Sequence, residues 1–299
     1  MKFILQTRDY LNLNFYFLKK ANSFLFFLQI LILFFFPFSV SVATEKSHLA
    51  RILEKKEIVV SVGGDYEPYY IEKPKPGYPG FEVELAQGFA DYLGVKLKVI
   101  PLLNFAEHAK AIKSGRVDIS FGNSSSLSRG KILSFSDPYF STSPGALVSK
   151  SILPAESEGE VVTNRNFRNL FDLKPVSGLI MGVKDHTSNL EFIRENFPRV
   201  TLKTFPTDEE TLNALNKNII NCYVADNLYL EGLIQRNPTL KVRMQAVINP
   251  VIEKQLSITT PKYDFELLSE ANFFIREIKR TGAVNNLKEK YFNNNAWIP

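Results

Sequence analysis

Residues 118–139 read DISFGNSSSLSRGKILSFSDPY, and this stretch governs how the rest of the chain is read. An apolar, strand-like run over 117–121 ends at Gly122. Asn123, Ser124, Ser125 and Ser126 follow, then Leu127, Ser128 and one arginine, Arg129. Gly and Ser let backbone N–H groups and hydroxyl donors approach a ligand closely. A guanidinium beside such donors matches a carboxylate through two parallel hydrogen bonds. Taken alone, the segment reads more simply as a solvated Ser-rich loop with a surface arginine. Its surroundings change that reading.

Working outward, short apolar runs alternate with helical periodicity. Upstream, 57–62 (EIVVSV) is a strand closed by Gly63-Gly64, and apolar residues at 81, 85, 89 and 93 mark one helical face ended by Gly94. A strand over 95–100 ends at Pro101, and a short helix over 106–113 stops at Ser114-Gly115. This β-α-β-α-β order predicts a parallel sheet covered by helices. Downstream lie a strand at 145–149, a polar loop over 154–168, and a strand at 179–183. A helix at 188–196, a strand at 200–205, a capping box over 207–210 opening a helix to 216, a strand at 219–224 and a helix at 227–235 continue the pattern. A late strand at 255–260, helices at 265–281 and 284–292 and a frayed tail around Asn293–Asn295 close the chain. The α/β class with two units and a late return segment implies two lobes with a ligand cleft between them.

Bulk composition agrees with a globular protein: 45% hydrophobic and 22% charged over 299 residues. Of the net charge of +5, Lys2, Arg8, Lys19 and Lys20 against Asp9 account for +3, leaving +2 for the remainder. That is too little to argue for nucleic acid. Lys19 and Lys20 precede an uncharged run of 13 residues, Phe24 to Phe36, then Pro37 and the small residues Ser41-Val42-Ala43. This is the layout of a signal peptide over 1–43. The alternatives are an uncleaved anchor from Ser23 to Ala43 and a start codon further downstream. Cys222 is the only cysteine, in an apolar run that suits a buried structural thiol. With no cysteine at the cleavage site, a soluble periplasmic protein is expected. His48, His108 and His186 are scattered without ligand spacing, so no metal is expected. Gly122 and Gly130-Lys131 lack the spacing of a phosphate loop.

Four pieces in order, EIVVSVGGDYEPYY, GFEVELAQGFADYLGVKL, SGRVDISFGNSSSLSRGKILSFSDPYF and RTGAVNNLKEKYF, resemble bacterial extracellular solute-binding protein family 3. The resemblance runs from about residue 57 to 292. It implies a two-lobe periplasmic-binding fold of type II, with 50–141 and 253–292 forming lobe 1, 142–252 forming lobe 2, hinge strands near 139–143 and 252–256, and a tail over 293–299. The implied role is a monomeric periplasmic receptor that delivers an amino acid to an ABC permease in the inner membrane, with no cofactor and no catalysis. By resemblance, Arg129 clamps the ligand α-carboxylate, with Ser126 and Ser124 donating beside it. Asp226 accepts the α-ammonium, Thr187 supplies a hydroxyl, and Tyr66 and Phe105 flank the ligand side chain. One departure is His186, standing where the family's turn has glycine.

A zwitterion needs one cation and one anion at a set separation. Splitting them between lobes lets the ligand bridge and close the cleft. Asp226 alone would equally cap the helix after it. Asp137 in SFSDPY reads as a turn residue before the hinge. Two other readings remain: an enzyme on this fold resembling cyclohexadienyl dehydratase, with Asp65 or Glu67 as general acid, and a sensor docking on a membrane receptor. A transglycosylase arrangement would need a further domain after Phe292 and is not expected. The ligand's side chain stays open: by resemblance, Gly63 stands where several basic-amino-acid binders carry an acid, which argues against a basic ligand, while the nearby Asp65, Glu67 and Glu82 argue for one.

Overall fold

A computed structural model describes residues 46–154, 167–249 and 251–298. The expected signal segment over 1–43 and most of the polar loop over 154–168 lie outside these residues. No helix among the described residues is long and apolar enough to cross a membrane.

The chain builds two five-stranded sheets. It begins with α1 (His48–Lys55), β1 (Glu57–Gly63), α2 (Phe81–Leu93), β2 (Lys96–Leu102), α3 (Phe105–Lys113), β3 (Ile119–Ser124), the short α4 (Leu127–Gly130) and β4 (Ser134–Thr142). The second sheet follows with β5 (Pro144–Ser149), β6 (Ile180–Lys184), α5 (Ser188–Asn196), β7 (Thr201–Phe205), α6 (Asp208–Asn216), β8 (Cys222–Asp226), α7 (Asn227–Arg236), α8 (Leu240–Arg243) and β9 (Met244–Ile248). Then β10 (Lys254–Thr260), α9 (Phe265–Arg280) and α10 (Ala283–Tyr291) return to the first unit.

The first sheet runs β2-β1-β3-β10-β4 and the second β7-β6-β8-β5-β9. β1 pairs parallel with β2 and β3, and β6 pairs parallel with β7 and β8. This is the expected consequence of helical crossovers. The late strand β10 enters antiparallel between β3 and β4, and β5 lies antiparallel between β8 and β9. Each sheet is therefore mixed, because strands that cross from one unit to the other arrive without an intervening helix. The first crossing is fixed to the start of α7. Asn227 Oδ1 accepts from Thr142 Oγ1 at 2.8 Å and from Ser143 N at 3.0 Å.

Three local expectations shift. SFSDPY is a strand, not a turn: Asp137 lies inside β4, where its N–H donates to Asn272 Oδ1 at 2.7 Å. The strand expected over 219–224 starts at Cys222, and Ile219 is exposed. β3 extends through Gly122 to Ser124, so the loop begins two residues later than the glycine suggested. Gly122 adopts φ +80°, a left-handed conformation that Gly takes without strain. A Cβ there would sit 2.4 Å from both carboxylate oxygens of Glu82.

At the chain end, Asn293–Asn295 are exposed, but Trp297 is buried with 1% exposure. Its indole lies 3.5 Å from where a Cβ on Gly232 of α7 would be, and the Arg236 guanidinium stands 5.8 Å from its ring centroid. The tail expected to fray instead packs on the second unit. Large apolar area outweighs the polar run that precedes it.

Candidate functional site

The C-terminal ends of the parallel strands in both sheets face one cavity. Among its lining residues are Tyr66, Phe105, Ser124, Arg129, Thr187 and Asp226. Six of the seven residues singled out from the sequence thus meet in one place. Ser126 is not among the lining residues. Its hydroxyl accepts from Arg129 N at 3.3 Å and pairs with Ser128 Oγ at 2.9 Å, capping the one-turn helix that presents Arg129.

Arg129 is the most exacting group in the cavity. It is 5% exposed, yet its hydrogen bonds to protein reduce to one, from Nη1 to Ser124 O at 3.3 Å. Nε has no hydrogen-bond partner and lies 3.6 Å from Glu191 Oε1. The guanidinium carbon stands 4.5 Å from the Phe105 ring centroid, which holds its plane. Burial lowers its pKa from the usual value, against the pull of Glu191 and Asp226. A buried fork with five donors and few acceptors is built for an incoming anion.

Asp226 ends β8 and opens α7, but its side chain makes no cap hydrogen bond. The capping alternative therefore fails, and the carboxylate turns to the cavity. Tyr66 OH donates to Asp226 Oδ2 at 3.0 Å and accepts from Asp226 N at 3.0 Å. The Tyr66 ring stacks on Tyr229 with centroids 4.2 Å apart. Thr187 is committed locally: its hydroxyl donates to Lys184 O at 2.8 Å and accepts from Leu190 N at 3.3 Å, capping α5. Just before it, His186 holds φ +55°. The turn keeps the left-handed backbone that a glycine would adopt freely, at a cost of about 1–2 kcal/mol for a side chain. Ser188 Oγ reaches Ser124 Oγ across the cavity at 3.3 Å.

Several groups in and around the cavity are not among the ligand-binding residues singled out from the sequence. Lys184, at the end of β6, contacts Asp65 Oδ1 at 2.7 Å and Asp208 Oδ2 at 2.5 Å. Desolvation lowers its pKa, but the two carboxylates more than offset this and hold the ammonium above its usual value. His108 is buried, and both Ser61 Oγ and Ser120 Oγ lie 2.8 Å from its Nδ1. Burial first, then Lys184 and Arg129, lowers it to about 3, so the ring is neutral. The signal available for Lys184 was a lone cation ending an apolar strand just before the Asp185-His186-Thr187-Ser188 turn. The acids suggested for catalysis are otherwise engaged: Asp65 with Lys184, and Glu67 Oε2 with Arg236 Nη1 at 2.6 Å. Neither lines the cavity. Among the described residues, no group of three His, Cys, Asp or Glu could hold a metal ion.

Glu82 is the buried carboxyl of the cavity floor, 2% exposed, with Tyr139 OH 3.2 Å from Oε1. Burial raises it from 4.5 to about 7, against hydrogen bonds from Tyr139 and the Gly63 backbone. A carboxyl whose folded pKa is raised favours the folded state while protonated. Its contribution is full below about 4.5 and is lost as pH rises through about 7. The expected loss is about 3 kcal/mol, at about 1.36 kcal/mol per pH unit. Urea unfolding across this range should show stability falling with pH, and Glu82→Gln should flatten that part of the profile.

Two lobes, each a sheet flanked by helices, with a charged cavity between their strand ends define a small-ligand binding protein of the two-lobe kind. The chain belongs to the bacterial extracellular solute-binding proteins, family 3, which it matches over residues 58–294. It is 28% identical to the L-cystine-binding protein TcyJ of Escherichia coli K12 over 256 residues, covering 85% of this chain and 89% of that protein. The crystal structure of the ancestral amino acid-binding protein AncCDT-1, a precursor of cyclohexadienyl dehydratase, superposes with a TM-score of 0.67 at 26% identity. That match covers 82% of this chain and all of the other. Cyclohexadienyl dehydratase of Pseudomonas aeruginosa is 37% identical over a shorter stretch, 102 residues, 34% of this chain and 38% of that protein. Family and fold are thus those of solute-binding proteins, with enzymes among more distant relatives on the same fold.

Proposed function

We propose that this solute-binding protein captures an L-amino acid in the periplasm, after export through its N-terminal segment, and presents it to an ABC permease by closing its two lobes. In this reading lobe 1 comprises 50–141 and 253–292, lobe 2 comprises 142–252, and the monomer carries one site. Arg129 takes the carboxylate, with Ser124 beside it. Asp226 faces the amine, and Tyr66 and Phe105 shape the remaining volume. Ser126 serves indirectly, by capping the turn that carries Arg129. The observation that carries the reading is the buried Arg129 fork, whose donors exceed its protein acceptors at a cavity wall.

Asp65 links the two units at the edge of the cavity, where its partners Lys184 and Asp208 are lining residues. Asp65, after β1, bonds both Lys184 and the Asp208 N–H, the latter at 3.0 Å, so the two units already meet through fixed charges. A thermal-shift screen against the common L-amino acids and L-cystine tests the function. A ligand at about 100 times its Kd adds about 2.7 kcal/mol, which raises Tm by roughly 5–11 °C for a chain of this size. No shift with any amino acid would overturn the amino-acid reading. Turnover of prephenate by the purified protein would replace the receptor reading with the enzymatic one.

A further inference from the structure

Lys254 opens β10, on the strand that returns from the second sheet to the first, and its ammonium meets three groups of the cavity wall. Nζ donates to Asp226 Oδ1 at 2.5 Å, Asn189 Oδ1 at 2.6 Å and Ser188 Oγ at 3.1 Å. Those three acceptors use all three of its N–H groups. The Lys254 side chain is 9% exposed, and burial lowers its pKa more than Asp226 raises it. Asp226, Asn189 and Ser188 all line the cavity, whereas Lys254 reaches them from behind it. Asp226 is left with little spare capacity, since Asn189 Nδ2 approaches Oδ1 at 3.4 Å and Tyr66 OH holds Oδ2. Lys254 thus makes with Asp226, Asn189 and Ser188 the bonds that a ligand ammonium would make there.

Resting on the amino-acid reading above, we propose that Lys254 is a specificity-determining residue whose ammonium competes with the ligand's α-ammonium for Asp226. Two ammonium groups cannot share one carboxylate oxygen without repulsion. A ligand amine must therefore displace Lys254, exchanging one charge-assisted hydrogen bond for another of similar strength. A carboxylate without the amine leaves the Lys254–Asp226 pair intact and keeps all of its contact with Arg129. The site then holds a small carboxylate with weak dependence on an α-amine. Removing the lysine reverses this, because a buried carboxylate left unpaired is satisfied best by the ammonium of an amino acid.

Calorimetry on four probe pairs tests this: L-arginine with 5-guanidinopentanoate, L-cysteine with 3-sulfanylpropanoate, L-glutamine with 4-carbamoylbutanoate, and L-phenylalanine with 3-phenylpropanoate. In the parent protein, the best-bound amino acid and its amine-free partner should differ by less than about tenfold in Kd, because exchange of equivalent bonds gains little. In Lys254→Met the gap should widen to roughly a hundredfold or more, with the amino acid tighter and the partner weaker. Lys254→Gln, which retains a neutral donor to Asp226, should fall between and supplies the comparison if the Met variant does not fold. A parent gap already near a hundredfold, unmoved by either substitution, overturns the role of Lys254 and leaves the amino-acid reading standing. If neither member of any pair binds the parent and the thermal-shift screen finds no amino acid either, the amino-acid reading falls and this inference with it.

Discussion

Arg129→Ala is expected to weaken binding of the amino acid found by screening by about 2–5 kcal/mol. That is a rise in Kd of roughly 30-fold to several thousand-fold. The reason is geometric. Arg129 is buried, its Nε makes no hydrogen bond, and a single backbone carbonyl accepts from the guanidinium. The donors left over are those a ligand carboxylate would take. Arg129→Lys keeps the charge but loses the planar fork, so its affinity should lie between the two. Folding should not suffer in parallel. A cation whose burial is already compensated poorly contributes little to the stability of the fold, and the Phe105 contact is what the Ala variant gives up. Calorimetry showing parent-like affinity in Arg129→Ala would remove the carboxylate-clamp assignment.

The second large effect concerns stability. Asp208, 2% exposed at the first position of α6, faces Lys184 Nζ at 2.5 Å and Tyr223 OH at 2.5 Å. Burial raises its pKa, and Asp65 adds to that, while Lys184 and Tyr223 pull it down. Asp208→Ala would leave the Lys184 ammonium, itself 7% exposed, with Asp65 as its one carboxylate. Breaking a buried pair from one side costs about 3–5 kcal/mol, a fall in Tm of roughly 6–20 °C. Asp65→Ala removes the more exposed partner, 21% exposed, and should cost clearly less. Calorimetric melts of the two variants give the comparison. Equal small effects would mean that water compensates Lys184 and that the triad is not a structural pair.

Much of the chain was legible locally. The helix expected over 188–196 is observed over those residues, and the helical face at 81, 85, 89 and 93 becomes α2. The first has clear start chemistry in the Thr187 hydroxyl, and the second clear stop chemistry in Gly94. Errors fell where the period was ambiguous. The Pro-containing run SFSDPY read as a turn, yet it pairs with β10, which sequence proximity cannot reveal. Trp297 was masked by three asparagines, although its apolar area outweighs them once α7 lies beside it. In the cavity, Arg129 has a local signal in the Ser run before it, whereas Asp226, Thr187, Tyr66 and Phe105 were singled out by resemblance. Lys184 and Lys254 were missed.

The order of strands and helices, and the identity of the loop that presents a cation, are thus determined by the sequence itself. Periodicity, caps and turn residues act over a few residues and are written in adjacent letters. How the charges pair was decided by tertiary structure alone. Lys184 meets Asp65 across 119 residues, and Lys254 meets Asp226 across 28, each from a different sheet element. The neighbourhood of Lys254 does not distinguish it from a solvated lysine, and that of Lys184 offers only its place at the end of an apolar strand. Their roles arise because two sheets bring strand ends together in a cleft that buries these side chains, where a charge must find an opposite partner or pay for its desolvation.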